Sequence, residues 1–63
     1  MPTKSYEVFY LMDGVRMKTH RVYKGLGAAR GDAKLITRNP AVSSIEIVGY
    51  DEMAHRSFQE VVL

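Results

Sequence analysis

The residues in this chain with the strongest claim to chemistry are Lys24, Gly25, Gly27 and Arg30, within the run Gly25-Leu26-Gly27-Ala28-Ala29-Arg30-Gly31. Glycines between a strand and a helix let backbone N–H groups approach a phosphate, and the positive end of the helix favours an anion. Lys24 and Arg30 would add charge, so these four residues form a candidate phosphate or nucleotide contact. The surroundings of a full nucleotide site are missing. A dinucleotide fold is built from parallel βαβ units, whereas this chain opens with a hairpin pattern. No Gly-Lys-Ser/Thr follows the glycines, as a P-loop requires. The plainer reading assigns Gly25 and Gly27 to the turn into the helix and Gly31 to close helix packing. Arg30-Gly31-Asp32 spells an adhesion tripeptide but falls inside the expected helix, so it is a coincidence of letters.

Catalytic chemistry finds less to work with. His20 and His55 are isolated, and Ser43, Ser44 and Ser57 have no strained-turn context. Glu7 opposite His20 reads as a cross-strand charge pair, and Asp51-Glu52 as a helix start. No nucleophile, base and orienting group can be assembled, so an enzyme is not expected. The chain has no cysteine and two histidines, which excludes disulfides and thiolate metal sites and argues against zinc. No cofactor and no metal are expected.

The second constellation is Phe9, Leu11, Arg16, Lys18 and His20, which alternation places on one face of the hairpin. Aromatic and arginine anchors dominate protein interfaces. The same types could stack single-stranded bases and hold phosphates, but base-binding sheets carry several aligned aromatics, and only Phe9 is well placed. A protein interface therefore ranks first. Its cover would be the C-terminal segment, a second copy in a homo-oligomer (a dimer is favoured) or a foreign protein. The plain alternative is an ordinary sheet face with two exposed apolar residues.

These residues must be positioned by a few short elements. Ser5–Met12 reads as a strand, Asp13-Gly14 as a type I′ turn, and residues 15–24 as a second strand. The turn sets Met12 against Val15, Tyr10 against Met17, Val8 against Thr19 and Tyr6 against Arg21, all on the face that should meet the core. Ala28 to Arg38 reads as a helix, with Leu26, Ala29, Ala33 and Ile36 as its buried stripe. Asn39-Pro40 stops it, with Asn39 in a left-handed cap. Residues 42–50 form a third strand. Over 51–63, apolar spacing and the lack of a Gly, Pro or Asn turn after Gly49 favour a C-terminal helix; Val61-Val62-Leu63 keeps a fourth strand as the alternative. The fold class is α+β: a β-hairpin, a crossover helix and a third strand (ββαβ), in order 2-1-3, or 2-1-3-4 with a fourth strand.

Sixty-three residues allow one small domain, 1–63, with a thin core. Net charge is +2, and its distribution says more than the sum. Segment 16–38 is basic with Asp32 as its one acid, while Glu46, Asp51, Glu52 and Glu60 follow later. A nucleic-acid or nucleotide module using segment 16–38 is the alternative this supports. The longest apolar run, Val8 to Met12, is far too short to span a membrane. The first residues lack a signal-peptide pattern, so a cytoplasmic protein without membrane contact is expected.

The layout carries one resemblance. Tyr6-Glu7-Val8 through Asp13-Gly14, then Val22-Tyr23-Lys24-Gly25-Leu26 and an alanine-rich helix, then Asn39-Pro40-Ala41-Val42-Ser43-Ser44-Ile45-Glu46-Ile47, resembles the ββαβ(β) plan of small phage- or prophage-encoded proteins. Some anti-CRISPR proteins and other host-enzyme inhibitors are of this kind. The resemblance covers most of the chain in layout and includes no diagnostic motif. It implies a non-enzymatic inhibitor that binds and modulates a host protein in the host cytoplasm. Inhibitors that mimic DNA are strongly acidic and this chain is not, so no functional residue carries over. Anti-defence proteins that sequester a signalling nucleotide would use the Gly25–Gly31 turn.

Overall fold

Asp13 and Gly14 both adopt positive φ, 52° and 79°, the requirement of a type I′ turn. That turn joins β1 (Ser5–Met12) to β2 (Val15–Lys18) with Met12 opposite Val15 and Phe9 opposite Lys18. This computed structural model describes residues 2–63. The chain continues through α1 (Leu26–Ile36), β3 (Val42–Tyr50) and β4 (Arg56–Val61). The four strands form one antiparallel sheet in the order β2-β1-β3-β4, as expected for the four-strand alternative. No helix of the described residues is long and apolar enough to cross a membrane.

The helix lies on one face of the sheet, over β1 and β3. Its stripe is the expected one: Ala29 and Ala33 are fully buried, and Leu26 and Ile36 pack beside them. Alanine at the contact lets the helix axis approach closely, so Val8, Ile45 and Ile47 are fully buried beneath it. Tyr6, Tyr10, Met12, Phe58 and Val62 close the rim, and Phe58 meets Tyr6 edge to face at 5.6 Å. Gly49 allows this closure. A Cβ there would lie 2.6 Å from Thr3 Cγ2 and 2.8 Å from Phe58 Cβ.

Four expectations are corrected. The second strand ends at Lys18, not at residue 24, and Tyr6 pairs with Tyr23 rather than Arg21. The cause is Tyr23, whose ring is captured by the core while its backbone N–H donates to Tyr6 O (2.9 Å) and its carbonyl accepts from Tyr6 N–H (2.7 Å). Second, Val15 and Met17 face the helix side yet stay outside the core, and Val15 is 59% exposed. One 11-residue helix cannot cover four strands. Third, Asn39 is not in a left-handed cap; its Oδ1 accepts from Ala41 N–H at 2.9 Å. Fourth, the C-terminal element is a strand, not a helix. Asp51 Oδ1 accepts from Met53 and His55 N–H groups, Ala54 N–H donates to Asp51 O, and Ala54 takes φ 61°. A left-handed residue after a tight turn is usual in a three-residue hairpin loop, and glycine usually occupies it. Alanine at that position hid the turn.

Candidate functional site

Strand alternation places Glu7, Phe9 and Leu11 of β1, Arg16 and Lys18 of β2, and Ser44, Glu46 and Val48 of β3 on the face opposite the helix. Among the described residues no helix or strand covers this face. Four of the five expected contact residues, Phe9, Leu11, Arg16 and Lys18, therefore lie together. His20 does not join them. Beyond the end of β2 the chain turns to the helix side, where His20 is exposed beside Thr19 and Tyr10.

The open face is partly dressed by its own side chains. The Arg16 guanidinium lies 4.7 Å above the Phe9 ring, a cation–π stack that orients both groups. Lys18 pairs with Glu7 instead of leaving it to His20, and Gln59 donates to Glu46. Val48, between Glu7 and Gln59 in the register, is fully buried although no helix or strand of the described residues packs on this face, so neighbouring side chains cover it. Phe9 and Leu11 are half-buried. With Arg16 and Glu46 they frame a shallow depression of about 120 Å³. Chemically this is an arginine–aromatic pair set in a charged surround.

The glycine run is assembled differently from its sequence reading. Gly25 is the residue preceding α1, in ordinary extended geometry (φ −125°, ψ 145°). A Cβ at Gly25, Gly27 or Gly31 would meet nothing within 4 Å, so Gly31 does not serve close packing. Lys24 stands beside the helix start, but the Arg30 side chain reaches Glu60 through two hydrogen bonds of 2.9 and 2.6 Å. This pair holds the Glu60 carboxyl below the usual glutamate range. Of the basic segment, Lys18, Arg21 and Arg30 are each paired with a carboxylate; Arg16, Lys24, Lys34 and Arg38 make no ion pair among the described residues.

A second cavity, about 450 Å³, opens on the helix side between α1 and the chain after β2. Tyr10, Leu35 and Ile36 form its apolar wall; Thr19, Arg21, Tyr23 and Asp32 form its polar end. Tyr23 donates its phenol to Asp32 Oδ2 at 2.6 Å, and Arg21 reaches the same oxygen at 3.3 Å. Burial, then the bond to Asp32, pushes the Tyr23 phenol above its ordinary range. Sequence reasoning missed this arrangement. Asp32, the one acid in the basic segment, was the available signal. Among the described residues no three His, Cys, Asp or Glu side chains come together as a metal site. Comparison of the chain with protein-family models, curated proteins and solved structures returned no match.

Proposed function

We propose that this chain is a non-enzymatic binding module that engages another protein through the open face of its sheet. Phe9, Leu11, Arg16 and Lys18 are the contact residues. The observation that carries this reading is the pre-oriented Arg16–Phe9 stack beside Leu11 on a face that no other element of the described residues covers. Side chains already held in place lose less freedom on binding, and arginine and aromatic groups supply most hot spots. The layout's likeness to small phage-encoded inhibitors gives the binding a sense: it blocks or modulates a host protein in the cytoplasm. A dimer through the same face is the second form of this proposal. A nucleic-acid or nucleotide role for segment 16–38 draws less support, because three of its cations are already held by carboxylates.

The test compares the chain with its Phe9→Ala/Leu11→Glu double variant in sedimentation and in capture from host lysate, with the captured protein identified by mass spectrometry. Neither residue belongs to the buried cluster, so the variant should keep its fold by circular dichroism while losing the dimer or the captured protein. Unchanged oligomeric state and unchanged capture would refute the reading. Oligonucleotide binding that falls steeply with salt would select the nucleic-acid alternative instead.

A further inference from the structure

The two edges of the sheet are built differently. On the β4 side the helix layer is closed, since Phe58 and Val62 pack against the core and Arg30 bridges α1 to Glu60. On the β2 side it is open. The helix does not pack on β2, no β2 side chain enters the core, Val15 is 59% exposed, and the 450 Å³ cleft opens past the end of that strand, from Thr19 onward, with Leu35 55% exposed on its wall. The backbone at this edge is also unpaired. Thr19 N–H donates to Val8 O at 3.1 Å. Antiparallel pairs alternate between bonded and non-bonded, so Met17 bonds to Tyr10, while the N–H and C=O groups of Arg16 and Lys18 point off the sheet.

We propose that β2 accepts an extended peptide from another protein as a fifth strand, with alternating acidic and apolar residues. Alternate side chains of an added strand fall on opposite faces. Those on the helix side would lie beside Val15 and Met17, which the helix leaves uncovered, and toward the exposed Leu35, which calls for apolar residues. Those on the open side would lie beside Arg16, which has no carboxylate partner among the described residues, and Lys18, which already pairs with Glu7; the unpaired guanidinium calls for carboxylates. Charge also decides against a second copy as the occupant. Pairing β2 with β2 of another copy would set Arg16 and Lys18 against Arg16 or Lys18, and like charges directly opposite destabilise a ladder. The inference rests on the protein-binding reading above and deepens it by stating the chemistry of the partner segment.

The experiment titrates the full chain into a fluorescein-labelled octapeptide alternating glutamate with valine, and into one alternating lysine with valine. Fluorescence anisotropy reads affinity, and amide hydrogen exchange by NMR reads the edge. The glutamate peptide should bind at least about tenfold more tightly than the lysine peptide and slow exchange at the Arg16 and Lys18 amides. Arg16→Glu should erase the preference for the glutamate peptide. Leu35→Arg, on the exposed helix surface, should weaken binding by about tenfold. Absent binding, equal affinity for the two peptides, or binding without slowed exchange at Arg16 and Lys18 each overturns the inference. A lysate partner lost by Phe9→Ala/Leu11→Glu but untouched by Leu35→Arg would leave the binding-module reading standing and overturn strand addition.

Discussion

Gly31→Ala asks what the glycine run is for. The position is in the middle of α1, exposed, and a Cβ there would meet no atom within 4 Å. Its φ is not positive, so alanine fits the existing backbone. The substitution should then deliver the intrinsic preference of alanine over glycine in a helix interior, about 1 kcal/mol. Unfolding entropy of about 2.1 cal/mol/K per residue gives about 130 cal/mol/K for a chain of this length, so the midpoint should rise by about 8 °C. Thermal unfolding followed by circular dichroism at 222 nm reads the shift. Both proteins are melted at matched concentrations, because association with a second copy raises the midpoint by mass action. A midpoint that stays level or falls would refute the reasoning.

Three other perturbations follow from the same geometry. Gly49→Ala should cost about 1–3 kcal/mol in urea denaturation, since the new methyl meets Phe58 Cβ, an atom that cannot swing aside without its backbone. Ala54→Gly should leave the β3–β4 hairpin intact and raise stability by about 0.5–1 kcal/mol, by relieving an L-residue held at φ 61°; an unchanged or lower urea midpoint would contradict this. Glu60→Gln should lower stability at neutral pH but not in acid. Because Arg30 holds Glu60 below its usual value of 4.5, the ion pair stabilises the fold above that value, and the benefit disappears as pH falls through the depressed folded value. Melting midpoints of the two proteins should therefore converge as the pH drops, and a constant difference would argue against the pair.

Parts of the fold are legible in the sequence because their causes are local. Asp13-Gly14 demands a mirror-image turn, which sets the register of Phe9 to Lys18 and Leu11 to Arg16 and so puts four candidate contact residues on one face. The spacing of Leu26, Ala29, Ala33 and Ile36 marks the buried stripe of α1, and the β-branched run after Val42 marks β3 over its observed length. The remaining features were hidden for physical reasons. Tyr23 looks like one more strand residue, and only the space beneath the helix explains why it, rather than Arg21, pairs with Tyr6 and why His20 is carried away from the open face. Ala54 stands where a turn normally advertises itself with glycine, so Asp51 reads as a helix cap instead of the side chain that folds the loop.

The sequence by itself determined a hairpin, a helix with a small-residue stripe, a third strand and a face bearing Phe9, Leu11, Arg16 and Lys18, since each depends on residues a few positions apart. Tertiary structure alone decided which cations are taken and which edge is left open. Arg30 finds Glu60 thirty residues away, Arg21 finds Asp32, and α1 packs over β1 and β3 but leaves β2 bare. Partners so distant along the chain leave no periodic trace in the sequence, because folding brings them together through packing that neither segment encodes alone.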